Sequence, residues 1–234
     1  MKVIVTAGPS YEPIDEVRRL TNFSTGELGL RLSNQLTRAG FEVFCLKGVG
    51  ATSAETLEGG HLQPFTTNDD LLEHLTRISR GHDIGAVFHV AALCDFKVKQ
   101  VQDTHGRKWD SPKIDSRADS LVLHLEPARK VIGLLRALFP RAILVGWKYE
   151  LAGSRQDALA KAWAQLQANQ SDACVLNGRA YGPGFGFCTP PAQVRELRNK
   201  TEVVEFLPLW LRQQLAARPD STRMGRGAAE ETTP

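Results

Sequence analysis

The chain has 234 residues, 42% of them hydrophobic, which suits one substantial core with appendages and leaves no room for two generous enzyme domains. Lys and Arg total 29 against 26 Asp and Glu, a formal net charge of +3, so bulk attraction to nucleic acid is excluded and any anionic ligand must be met locally. Cys45, Cys94, Cys174 and Cys188 form no CxxC pair, and the first three sit in apolar runs. With no apolar run of about 18 residues and no export signal ahead of Lys2, the expectation is a cytoplasmic protein with reduced thiols and no membrane partner.

The first element is a strand over 2–6, followed by a helix through Leu28, Leu30, Leu32, Leu36 and Ala39 that stops at Gly40, and by a strand over 42–47. This is a βαβ unit. Leu71, Leu72, Leu75 and Ile78 place a helix over 69–79, ahead of a strand over 85–91. A helix over 128–138, a strand over 142–147, an Ala- and Gln-rich helix over 155–170 and a strand over 173–177 continue the alternation. Such a sequence predicts an α/β fold, a mostly parallel sheet covered on both faces. Two segments break the rhythm. Residues 96–125 form a long polar excursion returning on an antiparallel strand at Leu121–Leu125, and 178–205 carries Gly182-Pro183-Gly184-Phe185-Gly186 before strand-like pieces at 193–197 and 202–206. An apolar helix follows around Leu207–Leu215. The expected organisation is a single domain over 1–216, with 96–125 as its extension and 217–234 as a disordered tail.

In open parallel sheets ligands sit beyond the carboxyl ends of the strands. After the first strand come Gly8-Pro9-Ser10 and, further on, Arg18, Asn22 and Ser24-Thr25-Gly26. Gly8, Gly26 and Gly29 are too widely spaced for GxGxxG, so a nicotinamide cofactor is disfavoured. A Ser/Thr/Gly loop ahead of a helix suits an anion, but Ser24 or Thr25 serves equally as an ordinary helix cap. After the strand at 85–91, Ala91 to Phe96 includes Asp95, a ligand acceptor or a turn aspartate. Val145-Gly146-Trp147-Lys148 puts an aromatic and a cation at the same edge, where Trp147 can carry a base or pack in the core. Lys113 on the excursion reads, taken alone, as a solvated charge. The six histidines have no metal-ligand spacing, so no metal is expected from the protein alone.

Taken jointly, Thr6-Ala7-Gly8-Pro9-Ser10-Tyr11-Glu12-Pro13-Ile14-Asp15-Glu16-Val17-Arg18 and Asn22-Phe23-Ser24-Thr25-Gly26 resemble the pattern TAGGTxEPIDxVRxxxNxSSG of the phosphopantothenoylcysteine synthetase family. The likeness runs on through Ala91-Ala92-Leu93-Cys94-Asp95-Phe96, Lys113-Ile114, Val145-Gly146-Trp147-Lys148 and Asp172 to Asn177, covering residues 1–210. It implies a Rossmann-like three-layer domain working as a homodimer, with a dimerisation extension. It also implies a single-function ligase of coenzyme A synthesis, in which CTP or ATP with Mg2+ activates 4'-phosphopantothenate as an acyl-nucleotidylate and L-cysteine displaces the nucleotide. By the same resemblance, Lys113 engages the triphosphate, Asn22 attends the acyl intermediate and Arg18 lies near the substrate phosphate. Gly8, Pro9, Ser10, Ser24, Thr25, Gly26, Ala91, Asp95, Phe96, Val145, Gly146, Trp147 and Lys148 fall on the nucleotide side, with Mg2+ near Asp95.

The chain departs from the family in four places. Gly8-Pro9-Ser10 stands for Gly-Gly-Thr, Lys113-Ile114-Asp115-Ser116 for Lys-x-Lys-Lys, Asn177-Gly178 for Asn-Asp, and Ala164 and Ala168 for lysines, with Lys148 or Lys161 as substitutes. The lost lysines favour, as an alternative, a diverged member that binds nucleotide or a pantothenate derivative without ligation. A Rossmann-type oxidoreductase is the third reading. No flavin is expected, because the chain begins directly at the ligase strand.

Overall fold

The computed structural model describes residues 1–109, 111–115, 117 and 120–218. Strand β1 (Lys2–Ala7) buries Val3, Val5 and Ala7 on one face and Ile4 and Thr6 on the other, which is why its sequence is continuously apolar rather than alternating. A small hairpin, β2 (Tyr11–Pro13) with β3 (Arg19–Thr21), precedes α1 (Glu27–Arg38) and β4 (Glu42–Gly48). Next come β5 (His61–Phe65), α2 (Asn68–Gly81) and β6 (Ile84–His89). The excursion contains β7 (Phe96–Gln102) and β8 (Val122–Pro127), paired antiparallel as a separate ribbon. A 3-10 turn (Val131–Leu134), α3 (Leu135–Leu138), β9 (Ile143–Tyr149), α4 (Arg155–Asn169), β10 (Ala173–Asn177), β11 (Phe185–Thr189), β12 (Gln193–Leu197) and α5 (Lys200–Ala217) complete the order.

The main sheet has eight strands in the order β12-β11-β10-β9-β6-β1-β4-β5. From β5 to β10 all neighbours are parallel, while β11 and β12 add an antiparallel meander. Chain order therefore reverses between β1 and β6, the switch point at which a doubly wound sheet opens a crevice. On one face α1 and α5 press Leu32, Leu36, Val203, Leu207 and Leu211 against Val3, Val5 and Val145. On the other, Leu71 and Leu75 of α2 and Leu135 of α3 cover Ile4, Val87 and Leu144, and Ala158, Ala162 and Leu166 of α4 cover Cys174 and Leu176. This is the expected three-layer α/β/α arrangement, with all four cysteines buried and unpaired.

Three sequence expectations are corrected. Residues 202–206 are not a strand: Asn199 caps α5 by accepting from the Glu202 amide at 3.0 Å, and Val203, Val204, Leu207, Trp210 and Leu211 follow helical spacing, which overrides the β-branched pair. The helix expected over 128–138 shrinks to the 3-10 turn and the single turn of α3, interrupted around Gly133 and closed ahead of Pro140. Strand β5 was hidden by Pro64, which is tolerated because β5 is the edge strand. The tail expected over 217–234 lies, from residue 219 on, outside the described residues.

Candidate functional site

At the switch point the loops after β1 and β6 are joined backbone to backbone. The Ala92 amide donates to the Gly8 carbonyl at 3.0 Å and the Ser10 amide to the Ala92 carbonyl at 3.2 Å. This short parallel bridge is centred on Pro9 and uses its neighbours' groups, so the missing proline N–H costs nothing. Ser10 is fully buried and its hydroxyl accepts from the Cys94 amide at 2.8 Å. Pro9 and Ser10 thus hold the two loops together from inside and present no side chain to solvent.

The widely spaced glycines meet in space. Gly8 (φ +79°) and Gly26 (φ +78°) both adopt the left-handed conformation, and a Cβ on Gly26 would stand 3.3 Å from the Gly8 Cα. A Cβ on Gly29 would fall 2.5 Å from that of Ala7, so α1 lies directly on β1. These are the turn, close-approach and packing roles of a GxGxxG loop, with residues 9–25 inserted between the first glycine and the others. Linear spacing concealed that. The helix-cap alternative holds only in part: Gly26 itself is the N-cap of α1 and has no side chain to cap it, while the Thr25 hydroxyl accepts from the Glu27 amide at 3.3 Å. The Thr25 carbonyl accepts from the Ser53 amide at 2.9 Å, placing Ala51 as the floor beneath both glycines. With no side chain on the N-cap itself, this helix start beside small residues leaves the backbone N–H groups that follow Glu27 for an anion. Glu27 in the first turn is held by Lys200 (2.5 Å) and Arg31 (3.3 Å), which keep its carboxyl below the usual range despite some burial.

Beside this cradle, Asn22 is exposed and its amide nitrogen donates to the Leu93 carbonyl at 2.8 Å, which aims the group while leaving its second N–H and its oxygen uncommitted. Ala91 is half-buried and its amide donates to the Thr6 hydroxyl at 3.1 Å. Asp95 and Phe96 are exposed, and Asp95 pairs with Lys130, a cation the sequence reading missed. Asn68, also missed, is buried at the start of α2 and donates to the carbonyls of Cys94 (2.8 Å) and Arg129 (3.2 Å), the residues that precede the two members of that pair. Among the described residues no group of three or more His, Cys, Asp or Glu could hold a metal ion.

Arg18 and Lys113 come together at the tip of the β2–β3 hairpin. Arg18 donates to Asp15 at 2.6 Å and to the Ile114 carbonyl at 3.3 and 3.4 Å, so part of its guanidinium is already committed. The exposed Lys113 lies between Pro112 and Ile114, both bonded to this tip.

Val145, Gly146 and Trp147, expected at the strand's ligand edge, lie within β9, with Val145 and Gly146 in the core. Trp147 is half-buried against the α1/α5 face; its carbonyl accepts from Gln165 at 3.2 Å, and its indole N–H has no partner. Lys148 and Lys161 both pair with Glu150, at 3.2 and 2.6 Å, so neither is a free substitute for the missing lysines. Helix α4 runs from the carboxyl edge of the sheet back to the start of β10, placing Ala164 and Ala168 about 14 and 20 Å along it by helical rise. Gly178 (φ +116°) packs on the Glu150 backbone, where a Cβ would overlap the carbonyl, so an aspartate does not fit.

The family profile described as the DNA/pantothenate metabolism flavoprotein C-terminal domain matches residues 1–218. The coenzyme A biosynthesis bifunctional protein CoaBC of Thermococcus kodakarensis is 31% identical over 182 residues, 77% of this chain and 42% of that protein. CoaBC of Bacillus subtilis is 31% identical over 186 residues, 79% of this chain and again 42% of the relative. The chain therefore spans less than half the length of these relatives. The crystal structure of the DNA/pantothenate metabolism flavoprotein from Streptococcus pneumoniae, 25% identical, superimposes with a TM-score of 0.78 over 93% of this chain and all of that one.

Proposed function

The chain belongs to the DNA/pantothenate metabolism flavoprotein C-terminal domain family, and on that premise we propose that it is a phosphopantothenate–cysteine ligase. The observation that carries this reading is the glycine cradle at a helix start whose N-cap is Gly26, with the aimed amide of Asn22 beside it. In the first step a carboxylate oxygen of 4'-phosphopantothenate attacks the α-phosphorus of CTP or ATP, and pyrophosphate leaves. In the second, the amine of L-cysteine attacks the acyl carbon, the bond to the nucleoside monophosphate breaks, and the amine gives up a proton.

Gly8, Gly26 and the first turn of α1 bind phosphate through backbone N–H groups, with Ser24 and Thr25 at the rim. The Trp147 end of β9 and the Ala91 loop flank the base and sugar. The Lys113 ammonium neutralises charge on the triphosphate, and the free N–H of Asn22 meets the acyl oxyanion. Mg2+ that arrives with the nucleotide supplies further charge neutralisation, and Asp95 is the exposed carboxylate able to hold it in exchange for Lys130.

Up to about 13 Å of extended chain separates Arg18 from Asn22. On the homodimer that the family resemblance implies, the Arg18–Lys113 tip serves the site of a second copy. Ribbon β7/β8 presents Phe96, Leu123 and Leu125, each more than a third exposed, and these form the dimer contact. The reduced, buried thiols fit a cytoplasmic enzyme, and no described helix is long and apolar enough to cross a membrane.

Pyrophosphate release from CTP and from ATP, measured with phosphopantothenate and with or without cysteine, tests the reading. Release followed by amide product is expected. Nucleotide binding without release would establish the non-ligating alternative instead.

A further inference from the structure

The acidic residue at the hairpin tip has no role in the scheme above, yet it makes the densest set of contacts near it. The Asp15 side chain is only 2% exposed. Its Oδ1 accepts from the amides of Val17 (2.8 Å) and Arg18 (2.6 Å), which shapes the turn. Its Oδ2 accepts from the Arg18 guanidinium at 2.6 Å and from the Ile114 amide at 3.2 Å, ninety-nine residues along the chain. Around that long-range bond, the Glu16 amide donates to the Pro112 carbonyl at 3.0 Å, Arg18 donates to the Ile114 carbonyl, and the Ile114 side chain is 2% exposed. The exposed Lys113 thus stands between two anchored neighbours.

We infer that Asp15 is a positioning residue: its buried carboxylate latches segment 111–115 onto the hairpin tip, so that Lys113 and Arg18 are presented as one rigid cationic unit. The role assigned to the unit rests on the ligase reading. The latch itself rests on geometry alone. A charge-assisted carboxylate with four N–H donors fixes both chains at once, and a lysine held this way loses less rotational freedom on meeting a triphosphate than one on a loose loop. Burial by itself would push the Asp15 carboxyl up, but the amides of Ile114, Val17 and Arg18 and the Arg18 charge hold it below the usual carboxylate range.

Asp15→Asn keeps size and the turn-forming acceptor but sets an NH2 group against the Ile114 amide and the Arg18 guanidinium. In the full-length protein, tryptic cleavage between Arg107 and Arg117 should become about tenfold faster, with the far-UV circular dichroism unchanged. Single-turnover pyrophosphate release should fall toward that of Lys113→Ala, and the double variant should be no slower than Lys113→Ala alone, since both act through one group. Amide formation from preformed acyl-nucleotidylate and cysteine should stay at the wild-type rate, which a general loss of structure would not permit. Asp15→Glu, with the charge retained on a longer stem, should recover most of the protection, and Ile114→Pro, which removes the amide bonded to Asp15 Oδ2, replaces Asp15→Asn with the same expected outcome if that variant does not fold. Unchanged cleavage in Asp15→Asn, or additive losses in the double variant, would overturn the latch. If the wild type releases no pyrophosphate, the ligase reading fails and the cleavage rates still decide the latch.

Discussion

The Thr6 hydroxyl on β1 lies 3.0 Å from Nδ1 of His89 on β6, directly beneath the crevice and out of contact with water. The same hydroxyl accepts from the Ala91 amide, so this buried pair shapes the loop that faces the ligand. Burial alone pushes the His89 pKa from 6.5 down to about 4. Between those values the unfolded chain binds the extra proton, so stability rises with pH and is lost as pH falls through the window. The expected loss between pH 7 and pH 5 is about 2 kcal/mol from this group. Urea midpoints at the two pH values should differ accordingly in the wild type and much less in His89→Gln; an equal difference in both would refute the assignment.

Lys113→Ala should leave the melting temperature unchanged, because the side chain is exposed and contributes no core. Activation should slow by about 3 kcal/mol, roughly a hundredfold, the scale of one lost electrostatic contact in a transition state. Pyrophosphate release at the wild-type rate would remove Lys113 from the site.

Gly26→Ala carries two penalties, a left-handed backbone and a Cβ 2.9 Å from that of Ala51. The backbone term alone is about 1–2 kcal/mol. Gly40→Ala is the control, for it has φ +83° with nothing within 4 Å of a Cβ. Both variants should melt earlier, but only Gly26→Ala should raise the KM for nucleotide. A matching KM change in Gly40→Ala would mean that the cradle is merely structural.

The βαβ rhythm was legible because β1, β4, β6, β9 and β10 are buried on both faces and helix periods fill the gaps between them. What stayed hidden was any relation not encoded by linear spacing. Gly8 and Gly26 are neighbours only after a hairpin has been inserted between them, and the neighbours of Lys113 are anchored by long-range bonds to Asp15, Glu16 and Arg18 that linear spacing does not encode. Ser10 falls on the nucleotide side by the family resemblance, yet its side chain is buried. Its burial follows from the Pro9–Ala92 bridge, which no residue pattern announces. Val203-Val204 shows the reverse error, a local β preference overruled by the spacing of the buried residues that follow.

The ribbon offers Phe96, Leu123 and Leu125 on one face, where direct cross-strand pairing sets Leu125 against Val98 and Leu123 against Val101. Sedimentation at micromolar concentration should give about twice the 25.8 kDa chain mass. Leu123→Glu with Leu125→Glu should yield a folded monomer with little ligation. A wild type that remains monomeric with substrates bound would exclude the shared site.

Asn22→Asp separates the two steps of the reaction. The isosteric change replaces the N–H that meets the acyl oxyanion with a carboxylate, while the bond to the Leu93 carbonyl turns from attraction to repulsion. A cap role does not compete, since Gly26 is the N-cap of α1 and the Asn22 side chain bonds to the Leu93 carbonyl instead. The competing role is mechanical, with Asn22 merely tying its loop to the one after β6. If so, the loosened loop should disturb the whole cradle, and pyrophosphate release and amide formation should fall together. If Asn22 serves the acyl intermediate, the first-turnover burst of pyrophosphate should stay within about threefold of wild type while amide product falls about a hundredfold, the scale of one missing oxyanion donor. Following both products in the same single-turnover experiment decides the matter: parallel losses make Asn22 a fastener, and a surviving burst with no amide places it at the acyl carbon.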